Sequence, residues 1–526
     1  MRHDAAATRT DRWELLAAMS PFVALCLTQW DYVPIWDARI YTDCLLNAAA
    51  RGPFPSAYVC VDHPTIAWAF LTSLLSHVVP YKFWPLLVMH IALGMIGLWS
   101  FRDLARLVLP TSTRYANLLT ACFGACPLFV ANAVNPSPDF GVLIFFLLLL
   151  RSLTHARWIE AGVAGVLLSL SKETGVLLLG IATGTHAVIE FVSAPGDWKL
   201  RLRGMTRYAP TLAGPASFLI WIALRPAREA GQGGPLWGGK ELSDLLRMLL
   251  WLDLSNPRFH AQLALALAFQ FSWLLSLLTI WRWATTIRLR LQRTPPRRLP
   301  AASFFDLTLT ATVFSLTRYL PFANPRYLIP VLPLLLLCAG ASLHDLIPQT
   351  RRRITVALAA LLAASNFVTI DPVSRFLWGT FSFGEHQMLR MTSLTGECCG
   401  EGRDQLVYNL QHTALHHLQN LARSALSQDA DHRFSGHPLA DWYLVGSIDP
   451  ATRRRTLARE APVERLLTYP RIRDGMRPRT IYYLHLPNFA DDSGQEARLH
   501  SWYRPTATHV FTYYGHRLHV TELTRR

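Results

Sequence analysis

Long apolar blocks almost free of charge restrict what this chain can fold into more than any other feature. PDFGVLIFFLLLL, ALAFQFSWLLSLLTIW and YLIPVLPLLLLCAGASL belong to such blocks, several of them long enough to cross ~30 Å of hydrocarbon. Inside lipid the backbone must satisfy its own hydrogen bonds, so these stretches are predicted to span as helices. Hydrophobic residues make up 51% of the 526 and charged residues only 16%, against roughly 25% in soluble proteins. That balance excludes a disordered chain and argues against a nucleic-acid partner, since both depend on dense charge. The expected fold class is a polytopic α-helical membrane protein.

The basic residues orient it. Lys and Arg outnumber Asp and Glu by 51 to 35, a net charge of +16. Much of the excess gathers in short loops between apolar blocks: 101–114, 151–157, 199–207, 282–298 and 348–353. Loops rich in Lys and Arg stay cytoplasmic, which places these five and the N-terminus inside. Spans are then predicted near 14–30, 83–101, 115–132, 137–151, 157–170, 175–191, 208–224, 262–282, 302–320, 326–346 and 354–370. That is about eleven transmembrane helices, with the C-terminus outside. The first block lacks a small-residue cleavage site and is not expected to be a signal peptide.

Two segments need separate treatment. HPTIAWAFLTSLLSHVVP (63–80) resembles a span, but counting it would put 101–114 outside, so an interfacial or re-entrant amphipathic helix on the outer face is predicted. Residues 157–191 are too long for one crossing and carry Lys172 and Glu173 in the middle, which predicts two short spans meeting at SKETG near the outer surface. Two domains follow: a transmembrane domain over 1–370 and a soluble extracytoplasmic α+β domain over 371–526. The second has strand-like runs at RTIYYLHL and THVFTYYGHRLHV and a helical pattern at QLVYNLQHTALHHLQNLARSAL. Cys44 and Cys60 flank the first outer loop, where an oxidising compartment would permit a disulfide.

Ionisable groups at membrane depth are costly and mark function by default. Under this topology the unusual ones fall on one side: Asp37, Asp62, His63, Asp139, Lys172, Glu173, Arg318 and Arg326 all lie at outer ends of spans or in the first outer loop. WDARIYTDCLLNAAARG followed by DHPTIAW, then SKETG and NPRYLIPVLP, resembles the GT-C superfamily of polyprenyl-phosphate-sugar glycosyltransferases. The branch is that of the protein O-mannosyltransferases and the lipid A aminoarabinose transferases. In that branch a first outer loop opens with an acidic residue before an amphipathic helix ending in Gly, then reaches an H-P-P-like motif. The resemblance covers about residues 14–346, and the order and sidedness of the motifs carry it together. Two departures are a Thr at 65 in place of the second proline and an Ala after Asp37 in place of the frequent Glu.

The resemblance implies a polyprenyl-phosphate-linked sugar donor, an envelope lipid, glycan or protein acceptor, a bacterial inner membrane, and Asp37 as the catalytic base. Transfer needs a base for the acceptor proton and cations beside the departing phosphate. Asp37 could also cap the helix that follows it, and one residue can do both. Arg326 offers a bidentate phosphate contact, or with Tyr327 an interfacial anchor. Lys172 faces either a phosphate or carboxylate partner, or an ion pair with Glu173. Asp139 is a substrate ligand or an ordinary N-cap, and Asp62, His63 and Arg318 are further substrate-binding candidates. Asp37, Asp62 and Asp139 could hold Mg²⁺ or Mn²⁺, yet no D-x-D motif joins them and no metal is predicted. A transporter or flippase would share the hydrophobicity and buried charges, but would be expected to show repeats. A non-catalytic assembly scaffold is the third reading.

Overall fold

The computed structural model describes residues 9–28, 30, 38, 41–42, 44–46, 49, 64–79, 82–110, 113–194, 198–224, 273–291, 300–319, 325–346, 380–383, 386–389, 418, 421–422, 424–426, 431–436, 478–485, 495–513 and 516–526. Asp37, Asp62, His63 and Cys60 lie outside the described residues, as do the span predicted at 354–370 and the first half of that at 262–282.

The described helices are α1 (Arg9–Leu27), α2 (Ile66–Ser73, continued by a 3-10 turn Leu74–His77), α3 (Trp84–Val108), α4 (Thr113–Gly124), α5 (Pro127–Val134), α6 (Pro138–Thr154), α7 (Trp158–Ser169) and α8 (Glu173–Ser193). They are followed by α9 (Trp198–Met205), α10 (Ala213–Leu224), α11 (Trp273–Leu291), α12 (Pro300–Tyr319) and α13 (Val331–Leu346). Proline opens α3, α5 and α6 within the first turn, where its missing N–H costs nothing and its φ is already helical.

By length and apolarity α3 and α8 can cross a membrane, and the bent pair α4–α5 adds a third. Shorter apolar helices cover Trp13–Leu27, Ile66–His77, Trp158–Ser169, Ala301–Leu316 and Val331–His344. The described residues therefore support an apolar helical fold without reaching the expected count of about eleven spans. The predicted span 115–132 is broken by 58° between α4 and α5. Pro127 causes the break: it has no N–H to continue the ladder, and it holds the preceding Cys126 extended at φ −64°, ψ 125°. Helices α3 and α11 also run past their predicted ends into basic segments expected as loops. On α3 this is permitted because Arg102 and Arg106 both meet Asp11.

Helix α6 is the central post, with 15 of its 17 residues buried. A helix apolar all round belongs inside a bundle, and α6 packs on α3, α7, α8 and α2. Phe22, Phe129, Phe123 and Phe101 continue from Phe140 as a chain of ring contacts 4.5–5.5 Å apart. Residues 38, 41–42, 44–46 and 49 are helical too, and Ala38, Tyr41, Leu45 and Ala49 are buried. That spacing of three and four residues is the one expected of the amphipathic outer-loop helix. Cys44 is disulfide-bonded, and Cys26, Cys122, Cys126 and Cys338 are free.

In the tail, β1 (Thr380–Phe383) and β2 (His386–Leu389) pair antiparallel. Strands β3 (His432–Gly436), β4 (Thr480–His485), β5 (Tyr503–Tyr513) and β6 (His516–Arg525) form a sheet of order β3-β4-β6-β5, with only β3–β4 parallel. Helix α14 (Gln495–Trp502) precedes β5, and Leu499, Ile481, Tyr483, Tyr503 and Leu523 make a small core of their own. The described residues of both strand-like runs are mostly in strands, and those of the predicted helix are helical up to Ala425.

Candidate functional site: a buried charge cluster at one end of the bundle

Three chain breaks deliver the cluster. Ser137 takes the N-cap position of α6 in extended geometry, φ −146°, ψ 149°, and Pro138 starts the helix. Asp139 then falls in the first turn, so the carboxylate is not the N-cap that a proline-preceded Asp at a span start suggests. Lys172 is the N-cap residue of α8, also extended, and Glu173 opens its first turn. Arg326 and Tyr327 sit in a 3-10 turn, Pro325–Leu328, just before α13.

These segments meet on one carboxylate. Lys172 Nζ lies 2.6 Å from Asp139 Oδ1, and Arg326 Nε lies 3.3 Å from Asp139 Oδ2. All three side chains are 7–8% exposed. The Tyr327 ring backs both cations, with Lys172 Nζ 4.4 Å and the Arg326 guanidinium 5.1 Å from its centroid. Arg326 Nη2 also donates to the Tyr327 hydroxyl at 3.3 Å. Asp139, Thr174, Arg326, Tyr327, Leu316 and Pro330 line a small cleft.

Two cations against one carboxylate leave the trio at +1. The N-termini of α6 and α8 both lie at this end of the bundle, and their dipoles favour an anion further. Glu173, buried in the first turn of α8, offsets part of this field. Chemically, a guanidinium placed like Arg326 could fork onto an oxyanion, and the Lys172 ammonium could add a point charge.

Pro64 and Thr65 reach the same place. Both are buried, and the Ala67 amide donates to the Leu170 carbonyl at 3.1 Å, two residues before Lys172. Asp139, Lys172, Glu173, Arg326 and Tyr327 are thus brought together at one end. Arg318 lies in the last turn of α12, with its side chain outside the described residues; Asp37, Asp62 and His63 lie outside them altogether. Ser137 was passed over in the sequence. Its Oγ is buried without a hydrogen-bond partner among the described residues, two residues from Asp139. Among the described residues no group of three or more His, Cys, Asp or Glu side chains gathers as metal ligands.

No known protein family matches the chain, and no curated protein does. Among solved structures, it is similar to ArnT from Cupriavidus metallidurans in the apo state, at 15% identity and a TM-score of 0.42, over 95% of this chain and 97% of that one. It is also similar to the same ArnT bound to undecaprenyl phosphate, at 16% identity and a TM-score of 0.43, again over 95% of this chain and 97% of that one.

Proposed function

We propose that the chain is an integral-membrane glycosyltransferase, which takes a sugar from a polyprenyl-phosphate donor and transfers it to an envelope acceptor on the extracytoplasmic face. The observation that supports this most is the pairing of Lys172 and Arg326 on Asp139 at the edge of a cleft, 2.6 and 3.3 Å away. In this reading the donor phosphate enters beside the two cations. They hold it as the C1–O bond to phosphate breaks and negative charge grows on the leaving oxygen. Asp37 takes the acceptor hydroxyl proton as that oxygen bonds to C1. An inverting displacement follows by family analogy.

The test is incubation of the purified, reconstituted protein with a panel of polyprenyl-phosphate sugars, followed by mass spectrometry of lipid and protein fractions. Asp37→Asn should abolish transfer, and Lys172→Gln or Arg326→Gln should raise the KM for the donor. Normal turnover by Asp37→Asn would refute the base assignment. Retained phenotype with every site variant, but loss on removal of the tail, would favour a scaffold instead.

A further inference from the structure

Trp68 on α2 and His90 on α3 form a hydrogen-bonded pair that the chemistry above does not use. Both are fully buried. The Trp68 indole N–H lies 3.0 Å from His90 Nε2. An indole N–H can only donate, so Nε2 must accept and the neutral ring carries its proton on Nδ1. That nitrogen lies 3.1 Å from the Ala133 carbonyl at the end of α5, the right partner for an N–H. One tautomer therefore satisfies both ends of the imidazole.

The pair stands between two parts of the proposed site. On one side the Tyr41 ring of the outer-loop helix meets Trp68 edge-on, centroids 5.6 Å apart at 82°. On the other, Phe140 stacks on His90 at 5.2 Å and 21°, and Gly141 approaches so closely that a Cβ there would sit 2.6 Å from Trp68 Cδ1. Phe140 and Gly141 follow Asp139 directly. The far end of the outer-loop helix is tied to the same unit, because His77 Nδ1 lies 3.1 Å from the Ala49 carbonyl.

We infer that Trp68 and His90 are positioning residues: the hydrogen bond between them fixes the outer-loop helix against the first turn of α6, and so sets the distance between its N-terminal end and the Asp139 cluster. The inference rests on the proposed transferase reading for its catalytic consequence, but not for its mechanical part.

The experiment is hydrogen exchange and steady-state kinetics on the reconstituted full chain. Trp68→Phe keeps most of the ring and removes the donor. His90→Gln puts an amide oxygen near Nε2 and keeps the acceptor for Trp68, whereas His90→Asn reaches only the Nδ1 level and keeps the contact to Ala133. Trp68→Phe and His90→Asn should speed exchange in the peptide spanning Tyr41–Ala49 by about tenfold or more, with α3 unchanged, and His90→Gln should restore protection. The same two loosened variants should lose about 10- to 100-fold in kcat, with the donor KM within about twofold of wild type (tenfold being ~1.4 kcal/mol). Wild-type exchange in Trp68→Phe, or a His90→Asn that behaves as wild type while His90→Gln loosens, would overturn the inference. Loosened exchange with unchanged kcat would overturn the positioning role. If the wild type transfers no sugar at all, the transferase reading fails, while the exchange result still decides the mechanical part.

Discussion

Helix α6 carries a charged residue near each end, and the two ends use the same kind of pairing under different conditions. At Asp139 one carboxylate serves two cations, and every charged side chain of the trio is 7–8% exposed. About 18 Å away by helical rise, Arg151 pairs with Asp103 at 2.7 Å and reaches Glu160, which is 51% exposed. There too a carboxylate serves two cations, Asp11 with Arg102 and Arg106, but Asp11 is 20% and Arg106 34% exposed. Asn117 and Glu14 extend that network. Water can share the work at the Arg151 end and can hardly do so at the Asp139 end. A dry charge cluster gains little net stability from its pairing, so its presence argues for chemistry, whereas a wet one is ordinary fastening at the rim of a bundle.

The contrast gives a graded set of expectations. Asp139→Asn should be the most damaging change, because it leaves Lys172 and Arg326 confronting each other in a dry site. A loss of about 3–5 kcal/mol in unfolding free energy is expected, together with loss of donor binding. A loss below about 1 kcal/mol would show that water reaches the trio and would erase the contrast. Gly141→Ala comes next: overpacking against Trp68 should cost about 1–3 kcal/mol, read as a fall in melting temperature in detergent.

Asp11→Asn should cost less, about 1 kcal/mol, since Asp11 and Arg106 are partly in water even though Arg102 is buried. Burial by itself would raise the Asp11 carboxyl, but the hydrogen bonds and charges of Arg102 and Arg106 prevail and hold it below the ordinary value. Its stabilising share is therefore present above the unfolded pKa of ~3.9 and disappears as pH falls through the lower folded value. A thermal-shift series from pH 6 to pH 3 should show the wild type and Asp11→Asn converging at the acid end. Arg157→Gln should be nearly silent, within about 0.5 kcal/mol, because its bond to Glu160 joins two half-exposed side chains.

Much of the helical architecture is legible in the sequence because apolar length and proline position are local signals. Pro138 and the SKETG turn place the starts of α6 and α8 within a few residues of the observed ones. The bend at Pro127 was equally available, yet a hydropathy window averages across it. Sidedness let the sequence collect Asp139, Lys172 and Arg326 at one end. It could not pair them, because Lys172 reaches a carboxylate 33 positions away, and only packing decides between that and its neighbour Glu173. Trp68 and His90 read as plain apolar-helix residues, since a hydrogen bond between residues 22 positions apart leaves no periodic trace.

The burial of α6 has a mechanical consequence for a protein set in a bilayer. Helix α8 buries only 28% of its most hydrophobic stretch, and Val188 and Val192 are exposed. A change in membrane thickness tilts helices that touch lipid, so it acts on α8 and leaves the enclosed α6 in place. Lys172 rides on the first helix and Asp139 on the second. The ion pair between them therefore joins a helix that meets lipid to one that does not.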